Sequence, residues 1–283
     1  MADRRALSRI FRADALDGHV ALVTGGGTNL GKQAASELLA CGARVVIAGR
    51  REDVLDAAAR ELGPRCSVVA GDIREPGAAE RLIRTTVERH GGLDTLVNNA
   101  GGQYFVAAEG ISAKGWNAVL RLNVGGTLAM MRAAADHGFG PAGGTVVNVT
   151  VSPHHGMPAM AHTGAARAAV EALGREHAEL WAERGIAVVG LAIGRFDTES
   201  LRKYPEVVLR GAARTVPLQR LGTVEEFGWM VALLASPLGQ ALGGSVVTLD
   251  GGVDNWHGPW PPEGLTDDVG TVPTEARVPR PSG

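Results

Sequence analysis

The stretch VALVTGGGTNLGKQAASELLA, residues 20–40, decides the fold of this chain. It begins with an apolar run that predicts a buried strand over 19–25. A glycine-rich turn follows, and then a helical pattern of small and apolar residues over 32–42 that ends at Gly42. A strand, a glycine-rich turn and a helix in this order are typical of the start of a β–α–β unit.

The same alternation repeats along the chain as far as residue 250. Apolar runs predict seven strands, at 19–25, 43–49, 66–72, 93–102, 144–150, 186–194 and 245–252. Helical patterns separate them, at 32–42, 51–62, 75–91, 111–138, 160–185 and 223–236, the last with Thr223 and Glu226 spaced for a capping box. Strands this apolar are buried on both faces, as in parallel sheets. We therefore predict an α/β fold, a single doubly wound Rossmann-type domain with a seven-stranded parallel sheet and helices on both faces.

Composition and charge are those of an ordinary globular protein of 283 residues. The net charge of −2 gives no reason to expect a nucleic-acid or membrane-surface partner. No secretory core, peroxisomal address or run of 18 apolar residues is present, so we expect a cytoplasmic protein with Cys41 and Cys66 unpaired. Residues 18–254 form the predicted domain, 1–17 an N-terminal extension and the Pro- and Gly-rich residues 255–283 an irregular C-terminal tail.

The glycine-rich turn, TGGGTNLG at 24–31, is the first candidate binding site. Parallel sheets bind ligands at the carboxyl ends of their strands, where backbone N–H groups and a helix N-terminus can face a pyrophosphate. Asn29 takes the place of the usual middle glycine, tolerates left-handed backbone and has a side chain able to bond a phosphate or ribose. The predicted cofactor contacts are Gly25, Gly27, Thr28, Asn29, Leu30 and Gly31. The alternative is a plain turn between strand and helix.

The end of the second strand, AGRRED at 48–53, indicates which dinucleotide is bound. NAD-binding proteins usually place an acid there for the ribose 2′-hydroxyl, and here Gly49 takes that slot. Arg50 and Arg51 follow, and arginine suits a 2′-phosphate by charge and geometry. We predict NADPH rather than NADH, the alternative being two solvated arginines.

Together, TGGGTNLG, Asp72, NNAGG (98–102), Asn123 and LDGGV (249–253) resemble the short-chain dehydrogenase/reductase family over residues 17–253. The resemblance implies that Asp72 and Ile73 border the adenine, that Asn99, Ala100 and Gly101 back the cofactor, and that Ile193, Gly194 and Thr198 pass near the nicotinamide. The family usually has Pro-Gly where this chain has Ile193-Gly194. The resemblance also implies that residues 199–222 form a substrate lid. It implies that Asn123 orders water near the cofactor; the alternative is that Asn123 lies inside the helix and bonds to backbone.

The segment HTGAAR, residues 162–167, narrows the resemblance. With NNAGGQY, ISAKGWNAVL and PLQRLGTVEE, it is similar to the peroxisomal trans-2-enoyl-CoA reductases and, more distantly, to the 2,4-dienoyl-CoA reductases. Those enzymes reduce carbon–carbon double bonds conjugated to a thioester. Thr163 and Arg167 take the places of the Tyr and Lys that most family members use.

Thr163 and Arg167 limit the chemistry that is possible. A threonine hydroxyl is too weak an acid to protonate a substrate near neutral pH, although it can donate a hydrogen bond. Arg167 stays charged and can grip ribose hydroxyls. Reduction of an activated alkene needs only donors that hold the growing oxyanion. The candidate hydrogen-bond donors are Thr163, Ser152, Tyr104 and the amide of Asn123. Tyr104 is also a candidate proton donor; the alternative is that it forms an apolar wall of the site.

The serine position of the family falls on Thr150, Val151 or Ser152, with Val151 the best alignment. His154, His155 and His162 lie near the site in sequence, but we see no acidic partner or spacing for a metal and predict none. We expect His162 to be a proton relay or a packed and bonded residue. The predicted lid is basic, with the cations Arg202, Lys203, Arg210 and Arg214. These cations could bind the phosphates of CoA or of a carrier protein's prosthetic group; the alternative is a solvated helix face.

Three functions remain open on the sequence. The first is an NADPH-dependent reductase of a small-molecule enoyl thioester carried by CoA or a carrier protein. The second is a carbonyl reductase with a non-standard proton donor. The third is a redox-silent family member that binds NADP(H) and has a scaffold or non-redox role. The resemblance also implies a homotetramer or homodimer formed through long helices.

Overall fold

The computed structural model describes residues 8–152, 154, 157, 159–199, 201–203, 212–214 and 216–255. One sheet contains seven strands: β1 (Val20–Thr24), β2 (Arg44–Gly49), β3 (Cys66–Ala70), β4 (Thr95–Asn98), β5 (Gly144–Val151), β6 (Ile186–Ile193) and β7 (Val246–Leu249). All neighbouring strands are parallel, in the order β3-β2-β1-β4-β5-β6-β7. The predicted doubly wound Rossmann-type sheet is confirmed, and its order reverses between β1 and β4.

Helices cover both faces of the sheet. They are α1 (Asn29–Ala40), α2 (Glu52–Leu62), α3 (Ala78–His90), α4 (Ala113–Leu120), α5 (Thr127–His137), α6 (Ala161–Leu180), α7 (Val224–Ala235) and the short α8 (Pro237–Gln240). The apolar sides of α1, α2 and α7 form one core with the sheet. The apolar sides of α3 and α5, with the end of α6, form the other. Continuous apolar strands are explained by this burial on both faces.

The prediction of one regular helix over 111–138 is wrong in its middle. A π-helical segment, Arg121–Gly126, separates α4 from α5. Within it, Asn123 Nδ2 donates to the carbonyl of Val119, four residues earlier, at 2.9 Å. A side chain that takes a helix carbonyl competes with the backbone, and single wide turns of this kind are found at functional sites.

The other helix and strand ends agree with the sequence within a few residues. The predicted capping box is present, because Thr223 Oγ1 accepts from the N–H of Glu226 and the Glu226 carboxylate accepts from the N–H of Thr223. Both cysteines are free, and burial raises the pKa of each thiol to about 11.

Some predicted segments fall outside the described part of the chain. The tail from residue 256 onward and the lid residues 204–211 are not described. Residues 8–17 of the predicted extension are described, and Leu16 is buried with its N–H bonded to the Cys41 carbonyl at 2.7 Å. In the described ranges, no helix is long and apolar enough to cross a membrane.

Candidate active site

Two loops meet at the point where the strand order reverses. The Thr24 hydroxyl, at the end of β1, accepts from the N–H of Asn99 at 3.1 Å and of Ala100 at 3.0 Å. Asn99 returns a bond through its Nδ2 to the Thr24 carbonyl at 2.9 Å. The glycine turn after β1 and the loop after β4 are thereby fixed to each other, at the place where such sheets bind dinucleotides.

The glycine turn has the backbone that its sequence predicted. Gly25 has φ +67° and Asn29 has φ +45°, so Asn29 adopts the left-handed conformation. A β-carbon added at Gly31 would overlap the Gly25 carbonyl oxygen and lie 2.6 Å from Asn99 Nδ2. Asn29 Oδ1 accepts from the N–H of Glu199 at 3.2 Å, which ties the turn to the segment after β6. A phosphate or ribose contact of Asn29 stays a prediction.

Positive charge surrounds the end of β2. Gly49 closes the strand, and Arg50 and Arg51 are both exposed immediately after it. Asp72, after β3, is bonded by Arg74 through Nε at 2.9 and 3.0 Å and through Nη2. These bonds lower the pKa of Asp72 to about 2, with Arg50 adding a smaller effect. Arg50 and Arg51 therefore offer positive charge to an anion, and the Asp72 carboxylate is already paired with Arg74.

Asn123 fixes the loop after β4. It is fully buried, and its Nδ2 donates to the Gly102 carbonyl at 2.8 Å as well as to Val119. Its Oδ1 accepts from the N–H of Gly102 at 3.2 Å. Both amide hydrogens are donated to backbone carbonyls, as in the alternative prediction of a helix-interior residue bonded to backbone. Any water bound by Asn123 has to donate to its Oδ1.

Thr163 and Arg167 lie on successive turns of α6. Thr163 is 0% exposed, and its hydroxyl has no hydrogen-bond partner among the described residues. Arg167 is 8% exposed; its Nη1 donates to the Val149 carbonyl at 2.7 Å, and its Nε has no partner in the described part of the chain. Buried polar groups are normally bonded, so these two atoms indicate that something outside the described protein atoms binds here.

Arg167 reaches the loop after β4. A β-carbon added at Gly101 would overlap Arg167 Nη2 and lie 2.8 Å from Asn123 Oδ1. The structure thus brings Gly101, Asn123 and Arg167 together, as predicted. Burial lowers the pKa of Arg167 to about 10, and it remains a cation at neutral pH without a carboxylate at hydrogen-bond distance among the described residues.

Ser152 belongs to a different group of side chains. Its hydroxyl donates to the Asp250 carboxylate, after β7, and Asp250 also accepts from the N–H of Asp254 at 2.8 Å. The last residue of β5, Val151, occupies the serine position that the sequence favoured. The Ser152 hydroxyl hydrogen is therefore already donated to Asp250.

His154 contradicts the expectation that it has no acidic partner. Its Nε2 lies 2.9 Å from Glu171 Oε1 and its Nδ1 lies 2.5 Å from Asp254 Oδ2. Glu171 is buried and also accepts from the Thr150 hydroxyl at 2.7 Å. We call His154, Glu171 and Asp254 the His154 cluster. Sequence reasoning missed it because the partners are 17 and 100 positions away; the one signal was Glu171, two helical turns after Thr163 on the same face.

The His154 cluster holds loops together. Burial lowers the pKa of His154, but the hydrogen bonds that its ring donates to Asp254 and Glu171 outweigh this effect, and the net shift is upward. The cluster joins the loop after β5, helix α6 and the segment after β7. Within the described ranges, no group of three side chains could hold a metal ion.

Tyr104 and His162 lie side by side at the edge of the site. Their rings are 4.5 Å apart between centroids and nearly perpendicular, at 81°. A β-carbon added at Gly115 would overlap the Tyr104 hydroxyl, so that hydroxyl lies against the first turn of α4. Tyr104 is 38% exposed, whereas His162 is fully buried. A proton-donating role for Tyr104 stays a prediction.

The segment after β6 lies beside the end of β7. Gly194 is bonded to Leu249 through its N–H at 3.0 Å, and a β-carbon there would lie 2.7 Å from Asp250 Cβ. Thr198 accepts from the N–H of Leu201 and so begins a short 3-10 turn. Of the basic lid residues, Arg202 pairs with Asp197 at 3.1 Å; Arg210 lies outside the described residues.

The fold and this site define a class: a doubly wound α/β protein with a dinucleotide-type turn at the switch point of its sheet. The family described as enoyl-(acyl carrier protein) reductase matches residues 26–254. The chain belongs to this family of short-chain dehydrogenases/reductases, and it is an oxidoreductase of that type.

Named relatives agree with this assignment. A peroxisomal 2,4-dienoyl-CoA reductase of Pongo abelii is 34% identical, with 87% of each chain covered. A probable 2,4-dienoyl-CoA reductase of Bacillus subtilis is 32% identical, with 85% of this chain and 97% of the relative covered. A citronellol catabolism dehydrogenase of Pseudomonas aeruginosa has a solved structure with a TM-score of 0.78 and 35% identity, covering 87% of this chain and 98% of that one.

Proposed function

We propose that the protein is an NADPH-dependent reductase of α,β-unsaturated thioesters. The observation that carries the proposal is the buried, unpartnered hydroxyl of Thr163 one helical turn from the buried cation Arg167. The names of the dienoyl-CoA reductase relatives support the thioester, and the arginines after β2 support the phosphorylated cofactor. CoA or a carrier protein presents the substrate.

The residues present fit a dinucleotide. The glycine turn is narrow enough to bring backbone N–H groups to a pyrophosphate, Arg50 and Arg51 suit a 2′-phosphate, and the unpartnered Nε of Arg167 suits ribose hydroxyls. The contacts we assign to it are Gly25, Gly27, Thr28, Asn29, Leu30, Gly31, Arg50, Arg51, Asp72, Ile73, Asn99, Ala100, Gly101, Arg167, Ile193, Gly194 and Thr198. When bound, the cofactor supplies a hydride.

The side chains then act on the charge that hydride addition creates. Addition to the β-carbon of the substrate pushes the electron pair of the double bond toward the thioester, and negative charge grows on the carbonyl oxygen. Thr163 donates a hydrogen bond to that oxygen and keeps its proton, because its hydroxyl is a weak acid. The α-carbon takes its proton from water.

Hydrogen bonding separates the four candidate donors. Both amide hydrogens of Asn123 are bonded to backbone carbonyls, and the Ser152 hydroxyl is bonded to Asp250. The Tyr104 hydroxyl lies against α4. Only the Thr163 hydroxyl is both buried and without a partner among the described residues. Because Thr163 has no exposed surface, substrate entry requires displacement of the residues that cover it.

The proposed reductase activity is tested by mixing the protein with NADPH and crotonyl-CoA and measuring the loss of NADPH absorbance. We expect turnover by the wild type, and a fall in kcat of about 10²- to 10³-fold in Thr163→Val, the usual effect of losing one oxyanion donor. Thr86→Val, at a buried threonine of α3 far from the site in sequence, is the matched control and keeps kcat. Turnover only with ketones indicates the carbonyl reductase instead, and tight NADPH binding without any turnover indicates the redox-silent protein.

Cofactor preference is tested at Arg50. We expect Arg50→Ala to raise the Kd for NADPH about 10- to 100-fold and to leave the Kd for NADH unchanged, because only NADPH has the 2′-phosphate. Arg60→Ala, at an exposed position of α2, is the control. An unchanged NADPH affinity in Arg50→Ala contradicts this assignment.

A cytoplasmic location and a homotetrameric or homodimeric assembly are part of the same proposal. The resemblance to the family supports the assembly, and the small net charge of −2 gives no reason to place the protein at a membrane surface. Cell fractionation and the mass in solution, by light scattering, test them.

A further inference from the structure

His162 is a buried imidazole that forms no hydrogen bond among the described residues. It is 0% exposed, and neither Nδ1 nor Nε2 has a partner in the described part of the chain. Leaving a buried polar group unpaired costs free energy, so such groups are rare in folded proteins. A ring with both nitrogens unpaired therefore indicates a partner other than the described side chains and backbone.

The position of His162 indicates what that partner is. It directly precedes Thr163 in the first turn of α6, so the two unpartnered side chains begin from neighbouring Cα atoms. The His162 ring packs edge-to-face against Tyr104, which itself is partly exposed at the loop after β4. The His162 ring thus packs against a side chain that reaches the surface at the edge of the site.

We infer that His162 is a second hydrogen-bond donor to the substrate carbonyl oxygen, acting beside Thr163. The inference rests on the proposed function. Hydride forms the new C–H bond at the β-carbon, the π electron pair of the alkene becomes the enolate, and the imidazole N–H donates to the enolate oxygen without transferring its proton. Water protonates the α-carbon, which balances the reduction. An imidazole N–H can polarise a carbonyl in this way.

The experiment compares two variants at this position. His162→Leu removes the donor, and His162→Gln keeps an N–H near the same place. We expect kcat for crotonyl-CoA to fall about 100-fold or more in His162→Leu and to recover partly in His162→Gln. The Kd for NADPH stays within threefold in both, because His162 is not among the cofactor contacts that we assign. His177→Gln, on the same helix and bonded to the Leu173 carbonyl, is the control and keeps kcat.

A second measurement does not depend on turnover. In ¹⁵N-histidine NMR of the wild type with NADP⁺, we expect butyryl-CoA to move one His162 ring N–H downfield, the resonance being assigned by its loss in His162→Gln. A purely structural histidine does not respond to acyl-CoA. An unmoved resonance, or kcat in His162→Leu within threefold of the wild type, overturns the inference.

Failure of the inference and failure of the proposed function have different signatures. If the wild type and His162→Leu both reduce crotonyl-CoA at similar rates, the role of His162 is refuted and the proposed function stands. If the wild type reduces no enoyl thioester, the proposed function is refuted and the role of His162 falls with it.

Discussion

The loops around the glycine turn and the first turns of α6 differ in how their polar groups are hydrogen-bonded. At the glycine turn, Thr24 and Asn99 bond to backbone of the facing loop, and Asn29 bonds to Glu199. In α6, the Thr163 hydroxyl, the His162 ring and Arg167 Nε have no partner among the described residues. The polar groups at the glycine turn are thus bonded within the protein, whereas the three groups of α6 are those that we propose to bind substrate and cofactor.

This difference separates the fold from the side chains at positions 163 and 167. The glycine turn is held by backbone geometry and by strands that are buried on both faces, and neither involves residues 163 or 167. We therefore expect substitutions at 163 and 167 to change the proposed chemistry and the ligand contacts of Arg167, while the glycine turn keeps its structure. Buried unpaired groups lower stability and are kept where they act on a ligand.

The largest expected effect comes from closing the glycine turn. Gly31→Ala places a methyl group onto the Gly25 carbonyl oxygen. Overpacking of this kind costs about 1–3 kcal/mol, which for this chain length lowers Tm by roughly 2–5 °C. We also expect no detectable NADPH binding by fluorescence titration.

Gly92→Ala is the control for Gly31→Ala, because nothing lies within 4 Å of a β-carbon at Gly92. It leaves both Tm and NADPH affinity unchanged. Normal NADPH binding by Gly31→Ala contradicts the view that this turn is preorganised by its backbone.

The next effect separates stability from binding at Arg167. Arg167→Met removes a buried cation and the bonds it gives to a ligand, so we expect NADPH affinity to fall about 10- to 100-fold, the equivalent of roughly 1.5–3 kcal/mol. Without ligand, the free energy of unfolding rises by about 1 kcal/mol, because a desolvated charge without a carboxylate is replaced by an apolar chain. Arg175→Met, exposed on the same helix, changes neither quantity. A less stable variant with unchanged NADPH affinity shows that Arg167 is a structural residue.

The smallest effect is the pH dependence of the His154 cluster. The pKa of His154 is raised in the folded state, so its contribution to stability is complete below the unfolded value of about 6.5 and is lost as pH rises through the folded pKa. The side chain is 34% exposed, which limits this contribution to less than about 1 kcal/mol. Urea unfolding of the wild type and His154→Gln at pH 6 and pH 9 measures it. We expect the stability difference between the two to shrink at pH 9, and an equal difference at both pH values refutes the charged cluster.

The sequence predicted much of this molecule from local patterns. Alternating apolar runs gave the seven strands, and Gly25, Asn29 and Gly49 marked the turn and the strand end where the structure has them. The site was predicted less well. Asn123 proved to be bonded to Gly102, Ser152 to Asp250 and His154 to two carboxylates, and none of these pairings has a local signature.

The sequence by itself determined the order of strands and helices, the glycine-rich turn and the identity of the side chains at 163 and 167, because periodicity, glycine placement and residue type are properties of the chain. Only the tertiary structure decided which polar atoms are already bonded and which are unpaired, because hydrogen bonds between segments up to 100 residues apart depend on how the layers pack. Among the residues that the structure describes, that packing leaves the Thr163 hydroxyl and the His162 ring without hydrogen-bond partners at the start of α6.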